Sequence, residues 1–246
     1  MGKKYLTFSF DDGLTQDRHV VELMHKYGLK GTFNLNAGLF DLKGEIQGIG
    51  SIAFHSIPRG TRHSRFFSYV SHDRISQQEA LSIYDGMEIA SHSYAHEFLT
   101  KIAEEEMHTS LDKDIFDLEN LTGKKILGHA YPKGVTSPKI QEYLKEKGIV
   151  YARKAFPSGK FTFPENPLDY APSGMLAMGK NALKLIHEFG ELSTEEDALL
   201  MLWGHAYEFD YGIKGHDWKQ LELIFSEAAK CKDCIFCTNI EAFLHI

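Results

Sequence analysis

The chain has 246 residues, of which 43% are hydrophobic and 25% charged, the usual balance of a soluble globular protein. Its formal net charge of −7 argues against a nucleic acid or an anionic membrane as the main partner, because both favour clustered Lys and Arg. The sequence contains no run of about 18 apolar residues that would span a membrane. Its N-terminus lacks the apolar segment and cleavage site of a signal peptide, so we expect a cytoplasmic protein.

Predicted strands alternate with predicted helices along the chain. Apolar runs predict strands over 5–10, 32–35, 87–91, 126–131, 149–153, 199–203 and 235–238. Helical spacing predicts helices over 16–27, 103–121, 137–147, 182–189 and 218–229. Such alternation predicts parallel βα units, and seven or eight units in one α/β domain favour a closed or nearly closed barrel. An open doubly wound sheet is the alternative, but Asp11-Asp12-Gly13 stands where its Gly-rich phosphate loop would be.

The segment from about 37 to 74 is the irregular part of the chain. It is rich in Gly, His and Arg and shows no clear periodicity. Loops of this length are usually functional or disordered. We therefore expect one domain over 1–246, with this segment inserted after the second strand on the active-site face. Its histidines, His55, His63 and His72, are expected in a solvated loop that could contact substrate.

Three cysteines near the C-terminus, Cys231, Cys234 and Cys237, have a C-x-x-C-x-x-C spacing. This spacing could indicate a metal or iron–sulfur site. A fourth ligand is not evident, however, and the surrounding residues predict a strand. Because cysteine is often a small buried residue, we interpret the three as structural.

Polar residues recur where predicted strands end. In barrel enzymes the catalytic groups come from the C-terminal ends of several strands. Polar residues at five strand ends therefore indicate an active site, which a polar residue at one end alone would not. The residues are Asp11 and Asp12, His92 and His96, Lys133, Arg153, and His205.

The pair His92 and His96 has the spacing of two ligands on one helical turn, where both imidazoles share a face. Most histidines are instead surface or core residues, and the chain has 13. A carboxylate from Asp12 would complete a His₂–Asp set with open positions. Such a set suits zinc or a similar divalent ion.

Asp11 and Asp12 cannot do the same work, because neighbouring side chains of a strand point in opposite directions. One carboxylate can bind a metal while the other accepts a proton from water. Asp-Asp-Gly also commonly marks a turn. His205 could be a structural hydrogen-bond donor or the acid that protonates a leaving amine.

Four motifs, in this order, resemble those of the polysaccharide deacetylase family, also called the NodB-homology or carbohydrate esterase family 4 group. They are TFSFDDG over 7–13, HSYAH over 92–96, AYPKG over 130–134 and LWGH over 202–205. The resemblance implies a distorted (β/α)₇ barrel with one divalent metal ion, with zinc as first choice and nickel, cobalt or manganese as alternatives.

The resemblance also implies a role for each matching residue. Asp11 would be the general base and His205 the general acid. The backbone N–H of Lys133 would stabilise the oxyanion. The metal ligands would be Asp12, His92 and His96.

The chain departs from the family's pattern at two places. The third motif normally begins with an Arg that supports the catalytic base, but here that position is Ala130. Arg153, at the end of the next strand, could reach Asp11 instead; the alternative is a surface Arg. The family's Asp-x-x-Asp-Trp motif is missing, which leaves the residue that supports His205 unassigned.

The resulting prediction is a metal-dependent hydrolase of non-peptide carbon–nitrogen bonds that removes an N- or O-acetyl group from a carbohydrate. Two alternatives remain: a deacylase or amidohydrolase of a small amide or ureide, and a non-catalytic carbohydrate-binding barrel. The expected partner is a carbohydrate or a small acylated amine.

Overall fold

The computed structural model describes residues 2–47, 69–212 and 214–246. Ten strands lie in these ranges: β1 Lys4–Asp11, β2 Gly31–Leu35, β3 Glu45–Gln47, β4 Tyr69–Ser71, β5 Glu88–Ser91, β6 Gly128–Ala130, β7 Tyr151–Arg153, β8 Gly174–Met175, β9 Ala198–Gly204 and β10 Cys234–Phe236. Seven α-helices accompany them: α1 Asp17–Tyr27, α2 Ala80–Ile83, α3 Glu104–Thr122, α4 Pro138–Glu146, α5 Gly179–Glu191, α6 Trp218–Ala228 and α7 Asn239–Phe243.

The main sheet has eight strands, all paired in parallel, and β1 lies at its centre. The order is β7-β6-β5-β2-β1-β9-β8. One edge of β1 is shared, because its first half pairs with β10 and its second half with β2. All eight residues of β1 are buried, as expected for a parallel strand covered on both faces.

The curled sheet is joined at its two edges by the segment before β8. Tyr170 bridges Arg153 of β7, and four residues later Gly174 pairs with Leu202 of β9. The sheet with its surrounding helices is therefore the distorted α/β barrel that the sequence predicted.

Apolar helix faces cover the outside of the sheet. The ring of Phe8 in β1 packs edge-on against Phe225 of α6, with centroids 4.8 Å apart. Gly28 ends α1 with a φ of 65°, a left-handed conformation that glycine adopts at no steric cost. No helix in the described ranges combines the length and apolar character needed to cross a membrane.

The inserted segment contributes an antiparallel pair of strands, β3 and β4. Residues 48–68 of the insertion, which include His55 and His63, lie outside the described residues. After β4 the chain pairs with the loop that follows β1: Leu14 and Arg74 form an antiparallel bridge, and the N–H of Ile75 donates to the carbonyl of Gly13 at 3.0 Å. Residues 72–75, the return arm of the insertion, therefore lie beside Asp12.

Each predicted strand and helix overlaps an observed element with somewhat different bounds, and the short elements β3, β4, β8, α2 and α7 were not predicted. Cys231, Cys234 and Cys237 are all free thiols. Cys237 is buried, with its Sγ 3.8 Å from the carbonyl oxygen of Leu6.

Candidate functional site

Asp11 lies at the end of β1 inside the barrel, with 3% of its surface exposed. Its Oδ1 accepts hydrogen bonds from Nδ2 of Asn34, at 2.9 Å, and from Nη2 of Arg153. Its Oδ2 lies 3.9 Å from Nε2 of His92. One carboxylate oxygen is therefore held by a cation and an amide, and the other faces the histidines.

Arg153 is fully buried. Its Nε donates to the hydroxyl of Ser9 at 2.9 Å, and its guanidinium carbon lies 4.9 Å from the ring centre of Trp203. Arg153 of β7 pairs in register with Ala130 of β6, the position at which the motif normally has Arg. Paired residues of neighbouring strands project from the same face, so the guanidinium comes from the adjacent strand at the same level.

Asp12 follows β1 with a φ of 85°, in the left-handed region that few non-glycine residues adopt. Its Oδ2 accepts a hydrogen bond from Nε2 of His72 at 3.2 Å. Its Oδ1 lies 3.7 Å from Nε2 of His96 and 3.9 Å from Nε2 of His92. Burial raises the pKa of this carboxyl. The hydrogen bond from His72 and the charge of Arg74 lower it by a larger amount, so the pKa lies well below its ordinary value.

His92 and His96 lie in the loop after β5. Their ring centroids are 4.9 Å apart, but no helical turn brings them together, which corrects that part of the prediction. Ser93 and His96 instead have φ values of 59° and 58°, and this left-handed turn folds the second ring back beside the first. Nδ1 of His92 donates to the carbonyl of Ala130 at 2.7 Å, so its Nε2 carries the lone pair.

Both imidazoles are in the state that a metal ligand requires. Burial lowers the pKa of His92, and burial together with the neighbouring His92 lowers the pKa of His96 to about 3. Each ring is therefore neutral near pH 7.

Asp12, His92 and His96 fit a divalent metal ion. One ligand atom from each lies within 4.8 Å of the others. Oδ1 of Asp12 and Nε2 of His92 are buried without a hydrogen-bond partner among the described residues. Oδ1 of Asp12 does form an ion pair with Nη1 of Arg74, 3.2 Å away. Leaving Nε2 of His92 unsatisfied would cost about 1–3 kcal/mol, which a bound cation would offset. The donor set, two imidazoles and one carboxylate, is one that zinc commonly takes.

Asp114 of α3 fixes the backbone that carries His92. Its Oδ2 accepts hydrogen bonds from the N–H of His92 at 3.1 Å and the hydroxyl of Ser91 at 2.6 Å. Its Oδ1 accepts from the N–H of Ala37 at 2.7 Å. His92, the first residue of the loop that carries both imidazoles (the imidazole loop), is therefore held by a residue of helix α3.

His205 follows β9, and its side chain is 13% exposed. Its Nδ1 lies 3.3 Å from Oε1 of the fully buried Glu208, and Oε2 of the same residue accepts the N–H of His205 at 3.1 Å. Its Nε2 lies 3.9 Å from Oδ2 of Asp12. Burial lowers the pKa of His205, but Glu208 and the two aspartates raise it more strongly, to about 9.

Lys133 lies in a short 3-10 turn, Pro132–Gly134, with a φ of 61°. Its side chain is exposed, and its charge is among the causes that lower the pKa of His96. The turn that carries the predicted oxyanion donor therefore lies near the imidazole loop.

Three residues at the site were not among the predicted site residues: His72, Arg74 and Glu208. His72 was expected in a solvated loop, but it is partly buried against Asp12. Glu208 lies beside His205, where the missing Asp-x-x-Asp-Trp motif had left the supporting residue unassigned. Its spacing of three residues from His205 was the one available signal.

Comparisons with known proteins agree with the fold and the motifs. The sequence model described as polysaccharide deacetylase matches residues 1–152. No curated protein matches the chain.

Solved structures with a similar fold include the family 4 carbohydrate esterase from Streptomyces lividans, at 11% identity and a TM-score of 0.53, over 95% of this chain and 90% of that one. The peptidoglycan N-acetylglucosamine deacetylase Bc1960 aligns at 14% identity and a TM-score of 0.58, over 98% and 89%. The Xyl-CE4 domain of a multidomain xylanase from the hindgut metagenome of Trinervitermes trinervoides aligns at 15% identity and a TM-score of 0.53, over 100% and 91%. These identities show a shared fold, and the family match covers more than half of the chain. The chain belongs to the polysaccharide deacetylase family of hydrolytic enzymes.

Proposed function

We propose that the chain is a metal-dependent deacetylase that removes an N- or O-acetyl group from a carbohydrate. The observation that carries the proposal is the cluster of buried ligand atoms in which Nε2 of His92 and Oδ1 of Asp12 have no hydrogen-bond partner among the described residues, with Nε2 of His96 3.7 Å from that Oδ1. Family membership supports carbohydrate deacetylation as the reaction.

Asp12, His92 and His96 would hold the ion. A bound divalent cation would act as a Lewis acid that polarises the acyl carbonyl. Zinc is the first choice because its usual catalytic ligands are imidazoles and a carboxylate, and nickel, cobalt and manganese remain alternatives.

Asp11 is the proposed general base. Because Arg153 and Asn34 occupy its Oδ1, the proton of the attacking water goes to Oδ2, the oxygen that faces the histidines. The fixed guanidinium also prevents the carboxylate from rotating away. Proton transfer by a positioned side chain typically contributes about 10²–10⁴-fold to the rate.

His205 is the proposed general acid. Glu208 holds its Nδ1, so the ring presents the Nε2–H to the leaving amine or alkoxide. A pKa of about 9 keeps this proton on the ring at neutral pH. The backbone N–H of Lys133 is the proposed donor to the oxyanion, a contribution of about 3–4 kcal/mol when pre-organised.

The test is hydrolysis by protein of measured metal content, followed as acetate release from acetylated carbohydrates and as formation of the corresponding carboxylic acid from small amides and ureides. Chitooligosaccharides, acetylated xylan, and small N-acyl amines and ureides are compared as substrates. We expect release from the acetylated carbohydrates and a loss of about 10²-fold or more in Asp11→Asn, with metal content unchanged. Release only from the small amides or ureides would replace the carbohydrate by that class. Full turnover of Asp11→Asn would overturn the assignment of the base.

A further inference from the structure

The return arm of the insertion, residues 72–75, ends directly beside the candidate metal ligand Asp12. Its backbone is fixed by pairing with the loop after β1, including a hydrogen bond from the N–H of Thr15 to the carbonyl of Asp73 at 2.9 Å. This pairing brings both His72 and Arg74 into contact with Asp12.

Four contacts hold Asp12 in its left-handed conformation, and one of them is an ion pair between its Oδ1 and Nη1 of Arg74, 3.2 Å apart. Its N–H donates to the carbonyl of Asn34 at 3.1 Å, and its own carbonyl accepts a hydrogen bond from Nη1 of Arg74. Its Oδ2 accepts from Nε2 of His72. Because an ionised carboxylate can only accept, the Nε2 of His72 must carry the hydrogen.

Arg74 also connects the two loops that supply the candidate ligands. Its Nη1 donates to Oδ1 of Asn36 at 3.1 Å. Nδ2 of Asn36 in turn donates to the carbonyl of His92 at 2.5 Å and to that of Ser93 at 2.8 Å. The buried guanidinium of Arg74 therefore connects the Asp12 loop to the His92 loop through the side-chain amide of Asn36.

His72 itself lies outside the candidate ligand group, which consists of Asp12, His92 and His96 among the described residues. With His72 bound to Oδ2, the carboxylate turns Oδ1 toward the two imidazoles. Hydrogen bonds of this kind set the orientation of metal ligands, and their loss typically costs about 10–100-fold in metal affinity.

We infer that His72 and Arg74 are positioning residues, supplied by the insertion, that set the geometry of the metal site by holding Asp12. This inference rests on the proposed metal dependence. It gives the end of the insertion a role at the metal site.

The experiment measures metal binding rather than turnover. Metal-free full-length protein is titrated with Zn²⁺ against a competing chelator, and with Co²⁺ while its visible absorption is recorded. Thermal denaturation of each metal-free variant checks that it is folded. His72→Ala is matched by His19→Ala, whose imidazole is half exposed and contacts Glu22 on α1.

For His72→Ala we expect about 10–100-fold weaker Zn²⁺ binding and an altered Co²⁺ spectrum. Affinity should return to within about threefold in His72→Gln, whose amide can donate to Oδ2. Arg74→Met should also weaken binding, because it removes the Nη1 that donates to both Asp12 and Asn36. Arg18→Met, which removes a surface ion pair with Glu79, should not weaken binding.

Unchanged Zn²⁺ affinity in a folded His72→Ala would overturn the inference and leave the proposed function standing. Weak binding in His72→Ala without rescue by His72→Gln would also overturn it, because the hydrogen bond would then not be the cause. Failure of the unsubstituted protein to bind either ion would instead overturn the metal dependence itself, and with it this inference.

Discussion

The guanidinium of Arg153 and the carboxylate of Asp11 form an ion pair inside the barrel, with side-chain exposures of 0% and 4%. Removing one partner of a buried pair leaves the other charge uncompensated and typically costs about 3–5 kcal/mol. Arg153→Ala should therefore lower the free energy of unfolding by about this amount and reduce deacetylation. Denaturant unfolding and acetate release measure the two effects.

The same pair predicts a rescue. Because Ala130 stands beside Arg153 at the same register position, Arg153→Ala combined with Ala130→Arg should recover part of the lost activity. Lys154→Ala, which removes a partly exposed ion pair with Asp169, is the control and should cost less than about 1 kcal/mol. An Arg153→Ala protein with unchanged activity and pH profile would show that Arg153 does not support Asp11.

His96→Ala should bind metal much more weakly than the unsubstituted protein. It removes one of three candidate ligands, and the remaining two offer too few donors for a tight site. Elemental analysis of purified protein measures the loss. His108→Ala, which removes an imidazole stacked on Tyr143, should keep its metal. Stoichiometric metal in His96→Ala would contradict the ligand assignment.

Glu208→Gln should move the alkaline limb of the activity profile to lower pH. The negative charge of Glu208 raises the pKa of His205, so its removal lowers that pKa and the acid loses its proton at a lower pH. We expect kcat/KM above neutral pH to fall by about one to two orders of magnitude. The pH profile of Glu188→Gln, a half-exposed residue of α5, should not move. A Glu208→Gln profile that matched the unsubstituted enzyme would mean that Glu208 does not tune His205.

Glu88 should make the folded protein less stable as the pH rises. Burial raises its pKa from 4.5 to about 7. A raised carboxyl pKa contributes stability that is complete below about pH 4.5 and is lost as the pH rises through about 7, by up to about 3 kcal/mol.

Glu88→Gln should therefore flatten this part of the stability curve. A glutamine can keep the contacts, because its oxygen can accept from Thr32 and the N–H of Ile240 while its amide donates to the hydroxyl of Tyr151. Unfolding free energies between pH 4.5 and 7.5 measure the effect. A Glu88→Gln curve parallel to that of the unsubstituted protein would show that Glu88 does not titrate in this range.

Most of the fold was predictable because its strands and helices have clear periods. The apolar run of β1 and the spacing of Val20, Val21 and Met24 in α1 are local signals that the core reinforces. The two-residue strand β8 carries no period of its own and exists because it pairs with β9. The hairpin strands β3 and β4 are similarly short.

The candidate site was predictable where a residue stands at the end of a strand, and less so where it comes from an irregular segment. Asp11, Asp12 and His205 follow directly from their strands. The approach of His72 and Arg74 depends on the backbone pairing of residues 13–15 with the arm after β4, which no local pattern indicates. The spacing of His92 and His96 predicted that the two imidazoles lie together, as observed, but a left-handed turn rather than a helix brings them there.

The contact between Asp11 and Arg153 spans 142 residues of sequence, and β9 must also pair with β1 before His205 can approach Asp12. Contacts of such long range form late, because closing a long loop costs entropy before the contact repays it. Until then the two adjacent carboxylates at the end of β1 repel each other without a nearby cation. We therefore expect the end of β1 to be among the last parts of the barrel to become ordered during folding, and the addition of metal during refolding to accelerate that final step.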